Sequence, residues 1–163
     1  MTETVTYLEM KVEGLVPGRE PDRSLALRQL AAREAEQAGW LYRTVGADWN
    51  WVDRAGWNGR QWLDHLSLAE IELWQLSDAG APAGYFELRK ETADRFEIAA
   101  FGLVPSCFGR GLGGHLLTLA VRRAAAAGAS SVWLHTSTFD HPHALSNYQA
   151  RGFRVVRTET VGA

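Results

Sequence analysis

The residues whose spacing carries the most chemistry run from Val104 to Leu116, Val-Pro-Ser-Cys-Phe-Gly-Arg-Gly-Leu-Gly-Gly-His-Leu. Gly109, Gly111, Gly113 and Gly114 place four glycines in six residues at the point where an apolar helical pattern begins. Each glycine costs a helix roughly 1 kcal/mol relative to alanine, so a bare backbone must bring some gain here. Without Cβ atoms the chain approaches a ligand closely, and the first amides of a helix have no intrahelical acceptor. Such a loop suits an anion, above all a phosphate. Gly109-x-Gly111-x-x-Gly114 also matches a dinucleotide fingerprint literally, but that motif needs an acidic residue about 20 positions further on. Ser130 to His135 offers none.

The loop needs a strand before it and a helix after it. Arg95 to Val104 is rich in apolar and aromatic residues, as a buried strand should be. Leu112, Leu116, Leu119, Ala120 and Ala124 recur at helical spacing and Gly128 supplies a stop, which predicts a helix from about Gly111 to Ala127. Residues two apart on a strand share a face, so Glu97, Ala99, Phe101 and Leu103 are expected to point one way. Ala69 to Ser77 and Pro82 to Lys90 read as two further strands, joined by turns short enough for antiparallel neighbours. Ser131 to Thr136 is strand-like, Ala144 to Arg151 a short helix and Phe153 to Val161 a final strand.

Towards the N-terminus, Thr6 to Val12 alternates as a strand. Asp22 is placed to cap a helix running to about Ala38, with Gly39 as its stop. Trp40, Trp49, Trp51, Trp57 and Trp62 then fall within 23 residues, five of the seven tryptophans. They either line a pocket or plug a small core. Asn58-x-x-Gln61 has the form of a capping box for a helix ending near Leu66.

The glycine block resembles the coenzyme A-binding motif of the GNAT superfamily of N-acetyltransferases, Gln/Arg-x-x-Gly-x-Gly/Ala. Here the hexad is Phe108-Gly-Arg-Gly-Leu-Gly113, with Phe108 where the family has Gln or Arg. A second family block, Asn-x-x-Ala-x-x-x-Tyr-x-x-x-Gly-Phe, is met by His141-Pro-His-Ala144-Leu-Ser-Asn-Tyr148-Gln-Ala-Arg-Gly152-Phe153, in which only His141 departs. The resemblance implies a single α/β (α+β) domain over residues 1–163, with a mixed, mostly antiparallel sheet flanked by helices. It also implies a shortened C-terminal arm, because only ten residues follow Phe153. The missing last strand is expected from elsewhere, and a partner strand in a homodimer would supply it.

The resemblance further implies acetyl-CoA as co-substrate, held by Leu103, Val104, Phe108, Gly109, Arg110, Gly111, Leu112, Gly113, Gly114 and His141, with Arg151 as a further phosphate contact. It implies an amine acceptor, small molecule or peptide, against a wall of Tyr42, Trp49, Trp51, Tyr85 and Glu87. Glutamate at the place of Glu97 is the base in several family members, with Glu87 in reserve, although a solvated strand-end carboxylate is the plainer reading. Tyr148 stands where the family has a tyrosine near the coenzyme sulfur. Direct transfer in the family leaves Cys107 without a nucleophile's role. The runner-up is a non-catalytic acyl-CoA-binding module.

A formal charge of −2 gives no general attraction to nucleic acid or anionic lipid. The acidic N-terminal stretch is neither signal peptide nor membrane span, and one cysteine agrees with a reducing compartment, so cytoplasm is expected. His135, His141 and His143 cluster without cysteine or sufficient carboxylate, so no metal is expected.

Overall fold

The computed structural model describes residues 2–162. The alternating segments form one sheet of seven strands: β1 (Glu3–Lys11), β2 (Leu25–Gln29), β3 (Ile71–Asp78), β4 (Ala81–Lys90), β5 (Arg95–Leu103), β6 (Ser131–Ser137) and β7 (Arg154–Val161). Their order is β2-β3-β4-β5-β6-β1-β7, antiparallel throughout except between β5 and β6. Four helices flank the sheet: α1 (Ala35–Gly46), α2 (Gly59–Leu66), α3 (Leu112–Ala126) and α4 (Ala144–Arg151).

Each face of the sheet has its own core. On one face Leu116, Leu117, Ala120, Val121 and Ala124 of α3 pack with Phe86, Leu88, Phe96, Ile98, Val132 and Leu134. On the other, Leu41, Tyr42 and Val45 of α1 and Trp62 of α2 pack with Leu73, Ala83 and Tyr85. Each of these large side chains gains roughly 1.5–3 kcal/mol from burial. The capping box of α2 forms in both directions, with the Gln61 N–H donating to Asn58 Oδ1 at 2.9 Å and the Asn58 N–H to Gln61 Oε1 at 2.8 Å.

Three expectations need correction. First, residues 22–38 are not one helix. Leu25 and Leu27 alternate with exposed neighbours along the edge strand β2, which pairs with β3. The Leu-x-Leu-x-x-Leu spacing fits either period, and the otherwise unpaired edge of β3 decides for a strand. Gly39, expected as a stop, lies inside α1, where a Cβ would come 3.1 Å from Trp62 Nε1. Its smallness sets the approach of α2.

Second, the face shared by Glu97, Ala99, Phe101 and Leu103 does not exist. Leu88 pairs with Ile98 but Glu87 pairs with Ala100, so Ala99 is the extra residue of a β-bulge. The bulge switches parity. Phe101 and Leu103 join the α3 side, whereas Glu97, Ala100 and Gly102 face α1 and α2 with their cross-strand partners Arg89, Glu87 and Tyr85.

Third, the strand missing from the C-terminal arm comes from the chain's own N-terminus. β1 lies between β6 and β7, with Val5 opposite Ser137 and Glu3 opposite Val161. The slot reserved for a partner strand is filled, and with it goes the reason for expecting a dimer.

Leu8 and Met10 bury this inserted strand in the α3-side core, Leu8 completely. Leu8→Ala is expected to lower stability by about 3 kcal/mol in urea unfolding. A loss below about 1 kcal/mol would show that β1 is not part of the cooperative core.

Candidate active site

β5 and β6 pair only at Arg95–Ser131, Phe96–Val132 and Glu97–Trp133, yet both strands run on, to Leu103 and Ser137. Past Glu97 they part, with the Ala99 bulge turning β5 at the start of the divergence. The fork opens a cleft of about 620 Å³, bounded by Ile98 to Leu103 on one side and Leu134, His135 and Ser137 on the other. Val104 N–H donates to Ala83 O at 2.9 Å, so alternation along the chain turns the preceding Leu103 N–H towards the open side.

The glycine loop closes one end of this cleft. Gly109 and Gly111 have φ values of 77° and 73°, the left-handed region that glycine occupies without strain. A Cβ on either would meet nothing within 4 Å. Among the described residues no main-chain or side-chain acceptor takes an amide hydrogen of Gly109 to Gly114, and α3 has no side-chain N-cap. The result is a concave row of unpaired donors at a positive helix end. Val104 and Leu112 are buried anchors of the loop, Gly109 and Gly113 line the cleft, and Arg110 and Gly111 are exposed beside it. Arg151 lies against Gly18 and Gly114.

The two departures from the family motifs touch each other. Phe108 meets His141 edge-on at 4.8 Å, and Trp49 packs on both, at 6.3 Å and 5.1 Å. An aromatic cluster therefore lines the cleft at the positions where the family motifs carry polar residues. His135 and His143 also border the cleft, and among the described residues no group of three or more metal-ligating side chains comes together.

On the α1–α2 face, Tyr42, Trp49, Trp51, Asp53, Arg54, His65 and Glu87 line the cleft. Tyr85 does not. It is 1% exposed beneath Trp51, so of the five residues expected as an acceptor wall it supports rather than lines. Glu87 is fully buried, and both its oxygens are taken. Arg54 donates from Nη1 to Oε1 at 2.6 Å and from Nη2 to Oε2 at 3.1 Å, and His65 Nε2 lies 3.1 Å from Oε2. Burial alone would raise this carboxyl. Hydrogen bonds from His65 and Arg54, with the guanidinium charge, more than offset it and hold Glu87 below the ordinary carboxylate range. Fully buried, with both oxygens engaged and its carboxyl held low, Glu87 is a poor proton acceptor and does not fill the place of a reserve base. It latches the tryptophan-rich loop to the sheet, and Arg54 also stacks over Trp57 and Trp62.

Glu97 sits at the vertex of the fork and lines the cleft. Oε1 accepts from Arg89 Nε at 2.8 Å, and Oε2 has no partner among the described residues. Across the cleft Tyr148 stands edge-on to Phe101 and Phe153 at 5.9 Å and 6.1 Å. Burial, then the nearby Asp140 charge, raises its phenol, so it is a hydrogen-bond donor throughout the neutral range. Cys107 is buried in the α1–α2 core and does not line the cleft.

Several charged or titratable cleft residues belonged to no motif in the sequence, among them Glu3, Asp53, Arg54, His65, Arg89 and Asp140. Glu3 arrives through the unforeseen placement of β1 and accepts from Ser137 Oγ. Asp140 is held by Thr136 Oγ1 at 2.6 Å and the Ser137 N–H at 2.8 Å, and takes Trp51 Nε1 at 3.4 Å.

With this geometry in place, comparison with known proteins is informative. The model of the "Acetyltransferase (GNAT) family" matches residues 27–153. A mycothiol acetyltransferase from Corynebacterium aurimucosum is 30% identical over 148 residues, spanning 80% of this chain and 47% of the relative, so the chain is about half as long as that protein. Among solved structures, a GCN5-related N-acetyltransferase from Sphaerobacter thermophilus superposes with a TM-score of 0.71 at 17% identity, over 96% of this chain and 50% of that one. An aminoglycoside acetyltransferase from an uncultured soil metagenomic sample, in complex with sisomicin, gives 0.66 at 14% identity, over 78% and 87%. Both likenesses are of fold.

Removing Arg54 leaves a buried carboxylate without its main counter-charge. Arg54→Met is expected to cost about 3–5 kcal/mol at neutral pH. In the native protein the Glu87 carboxyl is depressed, so its contribution is present above the ordinary carboxylate pKa and is lost as pH falls through the folded value. In the variant burial dominates, and protonation relieves it. The stability deficit should therefore shrink on acidification, as followed by urea unfolding across pH. A deficit that grew as the pH fell would contradict the latch.

Proposed function

The chain belongs to the acetyltransferase (GNAT) family, and from that membership and the forked cleft we propose that it moves an acetyl group from acetyl-CoA to a primary amine of a small molecule or peptide. The observation that carries this is the continuity of two sets of unpaired backbone groups, the amides of Gly109 to Gly114 and the free edge of β5 beyond Glu97. The first suits a diphosphate. The second suits an extended amide-bearing arm that makes the hydrogen bonds β6 does not. A thioester so placed lies beside the bulge, with the Leu103 N–H as a donor to its carbonyl oxygen.

An alkylamine with a pKa near 10.4 is neutral in only about one molecule per thousand at pH 7, a handicap of roughly 4 to 5 kcal/mol. Glu97, with one oxygen free on the acceptor face, takes the proton before attack. Tyr148 donates a hydrogen bond to the sulfur as negative charge develops there. Full proton transfer from a phenol raised by burial to a thiolate would run uphill.

The lining also favours a cationic acceptor. Five carboxylates line the cleft against two guanidiniums; Arg54 and Arg89 pair with Glu87 and Glu97, which leaves Glu3, Asp53 and Asp140 as the acidic excess. The faces of Trp49 and Trp51 add attraction for a cation or an apolar body. An acceptor panel of monoamines, polyamines, an aminoglycoside and N-terminal peptides, followed by thiol release, tests the reading. Absence of transfer to every class would refute it.

Two variants test the halves of the site. Gly111→Asp puts a carboxylate among the open amides and a side chain at a left-handed φ, and is expected to abolish acetyl-CoA binding by calorimetry. An unchanged dissociation constant would contradict the cradle. Tyr148→Phe removes one hydrogen bond to a charged group, worth about 1.5–3 kcal/mol. Turnover should fall roughly 10- to 100-fold with coenzyme affinity kept, and unaltered turnover would remove Tyr148 from the mechanism.

A further inference from the structure

On the premise of acetyl transfer to an amine, we propose that His65 is a catalytic residue whose free ring nitrogen accepts the proton shed by the acceptor nitrogen as the C–N bond forms. His65 lies in the last turn of α2, its side chain 14% exposed, and it borders the cleft. The carboxylate that holds it, Glu87, pairs across the sheet with Ala100, the residue after the bulge and within the unpaired stretch of β5. This is the part of β5 beside which the thioester is placed above.

The ring's proton assignment follows from its partner. Glu87 is kept ionised by Arg54, and an ionised carboxylate only accepts, so Nε2 carries the hydrogen it donates at 3.1 Å. In the neutral ring Nδ1 then keeps the lone pair. The ring is held by Trp57, edge-on at 5.2 Å, and by Trp62 at 6.1 Å. The charged groups facing it are Glu87 from β4 and Arg54 from the loop before α2. Asp64, on its own helix, is turned away to Arg60. Arg54 binds the same carboxylate, so Glu87 orients the imidazole while its own charge is already paired. Imidazole is the side chain that gains and loses a proton around neutral pH, which is what a proton acceptor with turnover requires.

The proton inventory calls for such a group. The acceptor nitrogen enters as an ammonium and must shed two protons to become an amide. Glu97 takes the first, freeing the lone pair that bonds to the thioester carbon. His65 Nδ1, directly or through one water, takes the second. The C–S bond then breaks with its electron pair leaving on sulfur, beside Tyr148, and the thiolate is protonated from solvent. Glu97 and His65 return their protons to water once the amide has left.

The test uses His65→Gln and His65→Ala, with the wild type, assayed on the best acceptor of the panel. Expected are a fall in kcat of about 10²-fold, acetyl-CoA affinity within twofold of wild type by calorimetry, and recovery of the alanine variant's turnover on adding free imidazole. Unchanged kcat overturns the proposal. So does a fall that imidazole does not restore, or a parallel loss of coenzyme affinity, since either marks His65 as structural. A wild type that acetylates no amine would instead defeat the acetyl-transfer reading, so the two failures are distinguishable.

Discussion

Main-chain amides and carbonyls that leave a sheet or begin a helix must find partners, and each buried one that does not costs about 1–3 kcal/mol. This chain leaves two such sets side by side, open to the cleft and to solvent, where a ligand can take the place of water. Three residues of β5 pair with β6 and the remainder turn an open edge to the cleft; a few residues later Gly109 to Gly114 present amides with no acceptor. A ligand with an extended amide-bearing arm and a diphosphate meets both demands at once. The rest of the molecule holds these two edges in place: Leu112, Leu116 and Leu117 sink α3 into the core while Gly109 to Gly111 ahead of it stay exposed, and the Ala99 bulge starts the divergence.

Insertion of β1 between β6 and β7 has consequences beyond closing the sheet. It fixes one wall of the fork with a strand distant in sequence, and it brings Glu3 to the cleft. The opposite wall is tied down by Glu87, which holds both Arg54 and His65 under a cover of tryptophans. The side of the cleft proposed for the acceptor is thus built from loops and strand ends, and the side proposed for the coenzyme from a strand edge, a left-handed glycine loop and a helix start. Among the described residues no helix is long and apolar enough to cross a membrane.

Much of the coenzyme half was legible in the sequence because it depends on local signals. Glycine spacing, the strand before it and the helical apolar period fell where expected, as did the hairpins from Ile71 to Leu103 and, on the other face, the capping box of α2. The acceptor half was less so. A bulge at Ala99 leaves no compositional mark, yet it inverts the face of Phe101 and Leu103 and keeps Glu97 with Glu87 and Arg89. Leu25 to Gln29 carries a pattern compatible with helix or strand, and only the open edge of β3 settles it. The pairing of Glu87 with Arg54 and His65 joins residues 33 and 22 positions apart, and no spacing rule reaches that far. Phe108 and His141, noted singly as departures, gain sense only as a contacting pair.

The central claim is that the free amides of the glycine loop grip the coenzyme. It is tested most directly by following the backbone amide resonances of Gly109, Gly111, Gly113 and Gly114 in isotope-labelled protein during titration with acetyl-CoA. These resonances are predicted to move together and saturate with the binding isotherm, with residues of the free β5 edge following. Saturable binding that left the four glycine amides unmoved would contradict the account.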